Sequence, residues 1–329
     1  MVAAVKLRPT ITVPSHRPEQ LAKFFEKWGD RFKGCRVIVT EDAPVRTCDV
    51  PDGVECYSWQ EIDADLGEDA WIIPRRSADI RSYALLKAVE EPTSFIWALD
   101  NDCYPEPGVR YLPELERRLS AVYPRDRWFN TMYMHYPRGF PYSERKATSR
   151  CILHHGLWSH IPDFDGQTQL ALPQYREPPH TFAHRVPYGM WFPMCSMHFA
   201  WRPEATVLVY QLPMGGAFPF ARVGDIWSGL FAKKIADHLG YAVSSGAPSV
   251  RHERQSDATA NAETEKAWLP INEGLWREVE AVRLTGTTFV ACYRQMALAV
   301  RYLSHPYFIT LAAAMEVWAD LVEARCPST

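Results

Sequence analysis

The sequence predicts an α/β fold: a mostly parallel sheet with helices on its faces, and a helical appendage at the C-terminal end. Three observations carry this. Apolar runs alternate with amphipathic stretches through the first hundred residues, acidic residues fall where two of those runs stop, and from about Ala262 the spacing is helical almost to Ala324.

The elements follow in chain order. Thr10 to Pro14 reads as a short strand. Pro18 to Trp28 then places Leu21, Phe24, Phe25 and Trp28 at i, i+3, i+4 and i+7, the one-sided stripe of a helix. Arg36 to Thr40 is a second strand, stopping at Glu41-Asp42; Ile80 to Val89 is a helix; Ser94 to Leu99 is a third strand running into Asp100-Asn-Asp-Cys103. Ligands of such sheets gather at the carboxyl ends of strands, which is where Asp42 and Asp100 sit. From 133 to 219 the chain is rich in Pro, His and aromatic residues with little periodicity, and reads as long ordered loops. Asp225 to Leu239 is helical again, Val243 and Val250 lie in short extended pieces, and a boundary near Ser256 to Asn261 divides an α/β body (1–257) from a helical region (258–329).

Composition bounds the function. In 329 residues, 36 Lys and Arg face 39 Asp and Glu, and 47% of residues are apolar. This excludes a disordered chain and a strongly basic nucleic-acid binder, and leaves room for about two folding units or one large one with an appendage. The stretch from Met1 to Pro14 has no apolar run followed by a small-residue cleavage site, so no secretion signal is expected. Tyr307 to Trp318, the most apolar late stretch, is interrupted by Glu316 and is short of the ~20 residues a bilayer span needs, so no membrane segment is expected. Eight cysteines without a C-x-x-C pair fit neither a disulfide scaffold nor a zinc ribbon, and the expected location is the cytoplasm. No G-x-G-x-x-G string is present, which disfavours flavin or NAD chemistry.

Asp100-Asn101-Asp102 after an apolar strand has the D-x-D form. Hard divalent cations take oxygen ligands and often bind through one or two carboxylates together with substrate phosphates, so the pattern suits Mg²⁺ or Mn²⁺ on a diphosphate. His180 and His184 have the i, i+4 spacing of a zinc face but follow Pro178-Pro179, against a helix there.

In order along residues 8 to 257, Ala98-Leu-Asp-Asn-Asp-Cys103, Arg138-Gly-Phe-Pro-Tyr-Ser-Glu-Arg145, the segment Gly156 to Leu170, Phe192-Pro-Met-Cys-Ser-Met197, and Asp225-Ile-Trp-Ser-Gly229 with Asp237-His-Leu-Gly240 resemble the plant reversibly glycosylated polypeptides, the UDP-arabinopyranose mutases. The resemblance implies a GT-A type, Rossmann-like nucleotide-sugar-binding domain over 1–257, a divalent metal, Mn²⁺ before Mg²⁺, and interconversion of pyranose and furanose forms of a nucleotide sugar with transient self-glycosylation. It implies Asp100, Asp102 and His252 as metal ligands and Arg138 and Arg145 as catalytic arginines. As substrate-binding residues it gives Asp42, Arg76, Arg81, Asp100, Trp158, Asp225 and Arg254, with Arg76 and Arg81 on the diphosphate. Trp158, like Trp227, also reads as a core aromatic. The family's acidic pair falls on Gly224-Asp225 and its acidic triplet has Asn101 in the middle, so the sugar and nucleobase, UDP- or GDP-linked, stay open. Arg138 is open between a sugar-bearing nucleophile and a phosphate clamp, because a guanidinium stays protonated and is a poor nucleophile. A glycosyltransferase or a self-glycosylated carrier using the same donor is the alternative function, and a homo-oligomer through the C-terminal helices is left open.

Overall fold

The computed structural model describes residues 7–132, 134–254 and 256–326, so residues 1–6 of the N-terminal stretch read above lie outside it. The expected α/β architecture is present. The strands are β1 (Thr10–Ser15), β2 (Arg36–Glu41), β3 (Val54–Tyr57), β4 (Ile96–Leu99), β5 (Cys103–Pro105), β6 (Val122–Pro124), β7 (Thr148–His160), β8 (Ala183–Arg185), β9 (His198–Trp201) and β10 (Ala242–His252). They form one mixed sheet in the order β3-β2-β1-β4-β9-β7-β10-β5, with β6 on β7 and β8 on β10. The pairs β3–β2, β2–β1, β1–β4 and β7–β10 are parallel.

Strands β1, β2 and β4 are buried almost throughout, which is why they read as continuous apolar runs rather than alternating ones. The chain leaves β1 outward to β2 and β3, then returns to place β4 on the other side of β1. The reversal opens a crevice at the carboxyl ends of β1 and β4.

The helices are α1 (Pro18–Trp28), α2 (Trp59–Leu66), α3 (Ser82–Val89), α4 (Tyr111–Leu119), α5 (Gly166–Ala171), α6 (Gly224–His238), α7 (Ala258–Glu265), α8 (Leu269–Ala281), α9 (Phe289–Val300) and α10 (Tyr307–Arg325). In α1, Pro18 occupies the first turn, where its missing N–H costs nothing, and Leu21, Phe24 and Trp28 face the sheet. Trp28 stacks on Phe32 at 4.9 Å and meets Trp97 of β4 edge-on at 5.3 Å.

Two expectations are corrected. The loop reading of 133–219 misses β7 and β9, which sit at the centre of the sheet. Their apolar pattern is interrupted because β7 buries His154 and His155, whose Nδ1 atoms pair with Ser244 Oγ at 2.8 Å and Ser245 Oγ at 2.9 Å, and because β9 has four residues only. The two extended pieces around Val243 and Val250 are one strand, β10, whose register shifts between Gly246 and Val250.

The C-terminal helices share their core with the α/β body. Trp318 of α10 stacks on Tyr210 at 4.7 Å and donates its indole N–H to Val207 O at 3.0 Å, while Phe308 lies 5.7 Å from Trp227 of α6. Leu298, part of the apolar spacing in the sequence, faces outward. Among the described residues no helix is long and apolar enough to cross a membrane, and the eight cysteines are free thiols.

Candidate functional site

A cleft of about 750 Å³ opens where the crevice predicts it, lined from β1 by Ser15 and His16, from β2 by Asp42, from β4 by Asp100–Asp102, from α6 by Asp225 and from β10 by His252. A larger hollow of about 970 Å³ adjoins it across Arg76, but its walls, Trp59, Trp71, Phe218 and Tyr307 among them, are largely apolar, so the chemistry belongs to the smaller cleft.

Asp42 ends its strand with both carboxylate oxygens engaged. Oδ1 accepts from the Arg76 N–H and the Trp59 indole N–H at 2.9 and 2.8 Å, and Oδ2 from the Ser77 N–H at 2.9 Å. The carboxylate thereby fixes the turn in which Arg76 takes a left-handed φ of 56° and extends into solvent at the cleft mouth. A non-glycine residue with that φ costs of order 1–3 kcal/mol, which the three hydrogen bonds offset.

Asp100 and Asp102 leave β4 on either side of Asn101, whose side-chain amide instead donates to Ser15 Oγ at 3.1 Å. The asparagine in the middle of the acidic triplet thus ties β4 to β1. Asp100 Oδ1 lies 2.7 Å from Arg81 Nη1, an ion pair without the alignment of a hydrogen bond. Burial pushes the Asp100 carboxyl up, Arg81 opposes this and Asp102 adds to it, with a net upward shift. Arg81 also donates to Ser196 Oγ at 2.8 Å, Ser196 O at 3.2 Å and Ala78 O at 3.0 Å. Its Nε and Nη1 are thus engaged within the protein, holding Asp100 and residue 196, while Arg81 lines the cleft where the resemblance expects a diphosphate contact.

Asp102 and His252 face each other, with His252 Nε2 3.6 Å from Asp102 Oδ2 and Nδ1 hydrogen-bonded to Ile161 O at 2.7 Å. Burial lowers the His252 pKa, but the facing Asp102 carboxylate outweighs it and the net shift is upward. With Nδ1–H held by a carbonyl, Nε2 is the nitrogen presented to the cleft. Among the described residues no group of three His, Cys, Asp or Glu stands in a ligand arrangement. Asp102 and His252 fit a divalent cation that takes its remaining ligands from a bound diphosphate, the usual mode of Mg²⁺, whereas Asp100 would have to share its carboxylate with Arg81.

Four groups beyond the sequence-derived set line the cleft. Asp163, half-buried near Asp225, is pushed up to about 6 by desolvation and by that neighbour, against His252 and Arg222. Asp79 is pushed up to about 7, by burial above all and also by Asp225. Arg222, at a left-handed φ of 68°, is held by Glu265 Oε1 at 3.2 Å, and Glu265, buried on α7, also accepts the Gly166 N–H at 2.6 Å. His16 follows β1, its pKa lowered by burial and by Arg17. Asp163 lies inside a motif quoted for the resemblance and so had a signal; Asp79 and Arg222 had none.

Of the expected residues, Asp42, Arg76, Arg81, Asp100, Asp102, Asp225, His252 and Arg254 come together in the cleft. Asp225 accepts from the Ser196 N–H at 2.9 Å and from the Ile226 N–H at 3.0 Å, which fixes its carboxylate at the start of α6. Trp158 is half-buried, 5.7 Å from His155 and packed on the aromatic core, outside the cleft. Arg138 and Arg145 are not brought to the cleft in this structure. They lie between β6 and β7 at the far end of the sheet, where Arg127 donates to Asp237 O. Asp237 closes the end of α6 opposite Asp225, a helix of 15 residues and so about 22 Å long. Arg138 is exposed, while the Arg145 guanidinium sits 3.8 Å over the Tyr142 ring.

The chain matches the family model "Reversibly glycosylated polypeptide" over residues 10–326, so the likeness extends through the C-terminal helices rather than stopping near 257. It is 30% identical to UDP-arabinopyranose mutase 1 of Arabidopsis thaliana, over 93% of this chain and 90% of that protein. It is 30% identical to a probable UDP-arabinopyranose mutase 1 of Pisum sativum, over 90% and 86%, and 29% identical to UDP-arabinopyranose mutase 1 of Oryza sativa subsp. japonica, over 93% and 88%.

Proposed function

The chain belongs to the reversibly glycosylated polypeptide family, and on that premise we propose that it is a metal-dependent mutase interconverting the pyranose and furanose forms of a nucleotide sugar, UDP-arabinose first among them. The observation that carries the reading is the coincidence in one cleft of Asp102 and His252, which suit a diphosphate-bound cation, with Arg76, Arg222 and Arg254.

Changing ring size requires the bond from the anomeric carbon to the phosphate oxygen to break, because that carbon cannot open the ring while it holds both oxygens. The electron pair leaves with the diphosphate; a second sugar hydroxyl then bonds to the anomeric carbon while the bond from that carbon to the old ring oxygen breaks, the hydroxyl's proton passing to the released oxygen, and the diphosphate oxygen re-forms its bond, so no atom is gained or lost. A bound Mn²⁺ or Mg²⁺ would supply electrophilic stabilisation of the departing diphosphate. The protein's part is to retain both fragments. Arg76, Arg222 and Arg254 supply cationic donors at the cleft wall, and Asp225, fixed by Ser196 and Ile226, offers an acceptor to sugar hydroxyls. Arg138 and Arg145, the family's candidates for the catalytic arginines, stand away from the cleft in this structure and do not touch a sugar bound there.

The test is incubation of the purified protein with Mn²⁺ and a panel of UDP- and GDP-sugars, with products separated by chromatography and identified by NMR. An isomeric nucleotide sugar is expected. Free nucleotide with a glycoside would make the protein a transferase, and no reaction with any donor would overturn the reading.

A further inference from the structure

Position 224 is where the resemblance expects an acid and the chain has glycine. A Cβ on Gly224 would lie 2.6 Å from Leu212 O, a backbone atom that cannot step aside cheaply, and 3.3 Å from Asp79 Oδ1. The space in front of α6 is thus already taken by a carboxylate from a different element, the short turn that precedes α3.

Asp79 is 8% exposed. Its Oδ2 accepts from Ser77 Oγ at 2.7 Å and from the Met214 N–H at 3.1 Å, which fixes the side chain. Oδ1 has no hydrogen-bond partner among the described residues, and Asp79 forms part of the cleft wall together with Asp225 and Gly224. An oxygen that receives no donor from the protein and opens to the cleft is free to accept from what enters there. The positively charged group nearest in sequence, Arg81, turns its Nη1 to Asp100 and Ser196 and its Nε to Ala78. A diphosphate would be repelled by a carboxylate, whereas a sugar brings several hydroxyl donors close together.

We propose that Asp79 supplies, from the turn before α3, the carboxylate that Gly224 lacks, and that its Oδ1 accepts hydrogen bonds from hydroxyl groups of the sugar, making Asp79 a specificity-determining residue. The proposal rests on the nucleotide-sugar reading above. One acid of the sugar subsite then comes from the turn before α3 rather than from α6, and Asp79 and Asp225 stand side by side toward the sugar. A site built to pair a hydroxyl discriminates strongly against analogues that lack it.

The experiment is titration calorimetry of the full chain with Mn²⁺ present, using UDP and UDP-arabinopyranose as probes on wild type, Asp79→Asn and Asp79→Ala. Expected are UDP affinities within about twofold of wild type in both variants and UDP-arabinopyranose affinities about 10- to 100-fold weaker. Unchanged sugar-nucleotide binding in the variants, an equal loss for UDP and UDP-arabinopyranose, or a wild type that binds the two equally would each overturn the proposal while leaving nucleotide binding intact. A wild type that binds neither probe, nor other UDP- and GDP-sugars, would instead remove the functional reading and this proposal with it. If neither variant folds, deoxy analogues of UDP-arabinopyranose titrated into wild type answer the question: one is expected to lose at least tenfold, and no loss for any of them overturns the proposal.

Discussion

Arg81 and Asp100 form an ion pair at 2.7 Å on the inner wall of the cleft, with the arginine side chain 6% exposed and the aspartate 26%. Removing one partner of such a pair leaves an uncompensated charge in a poorly solvated place. Arg81→Met is therefore expected to lower the unfolding free energy by about 3–5 kcal/mol near pH 7, read by urea denaturation. The loss should shrink toward pH 5, because Asp100 can then take up a proton; a loss that grows on acidification contradicts the pairing.

Asp79 gives a second stability prediction with a defined sign. An unfolded aspartate titrates near 3.8, and the folded Asp79 at about 7. Between those values the folded chain keeps a proton that the unfolded chain has lost. The contribution of Asp79 is therefore fully present below about pH 4 and is lost as the pH rises through about 7. Asp79→Asn abolishes this term, so the stability of the variant relative to wild type should rise between pH 4 and 7.5, by on the order of a few kcal/mol in total. Urea denaturation at four pH values measures it, and a relative stability that falls with pH refutes the assignment.

Mn²⁺ binding should depend on the nucleotide. Asp102 and His252 give only two protein ligands that are free of other charged partners, so the electron-paramagnetic signal of free Mn²⁺ is expected to fall at least tenfold more readily when UDP is present than without it. Asp102→Ala and His252→Ala should abolish the difference, and Asp100→Ala should weaken it. Turnover that persists in excess chelator would show that no such ion is needed.

Gly156 tests the packing behind the cleft. A Cβ there would lie 2.2 Å from His198 Cδ2 and Nε2. The ring cannot rotate away, because the Trp97 indole N–H donates to Nδ1 at 2.9 Å and Nε2–H donates to Pro248 O at 2.8 Å. Burial holds this histidine neutral, with its pKa pushed down to about 4. Gly156→Ala is expected to cost about 1–3 kcal/mol or more by overpacking, visible as a lower thermal midpoint.

Arg138→Ala should leave UDP affinity within about twofold of wild type by calorimetry, because none of the described residues between β6 and β7 lines the cleft. A loss of tenfold or more would mean that this segment reaches the nucleotide in solution.

These residues also show what the sequence makes legible. Asp42, Asp100 and Asp102 can be placed in advance because strand ends in a parallel sheet gather ligands, and the apolar runs that precede them are long enough to recognise. Asp79 cannot: in Ser77-Ala-Asp-Ile80 it reads as an ordinary acid near a helix start, and only the approach of Gly224 and Met214 from the distant α6 side gives it a role. Arg222 is similar, since its orientation is set by Glu265, 43 residues later, on a helix that the sequence presents as remote from the chemistry. The central strand β7 is hidden for another reason. Its buried histidines pair through Nδ1 with serines of β10, and such pairing across strands leaves no trace in local periodicity.

The position of Trp318 bears on how the protein is made. Its indole fills a core begun at Ile38 and continued by Leu86, Val207 and Trp227, and its N–H satisfies the Val207 carbonyl. A nascent chain that has released the sheet but not α10 leaves that apolar surface uncovered, so folding of this core waits on a segment more than 250 residues after its first strand, and until then the bare face can associate with other chains.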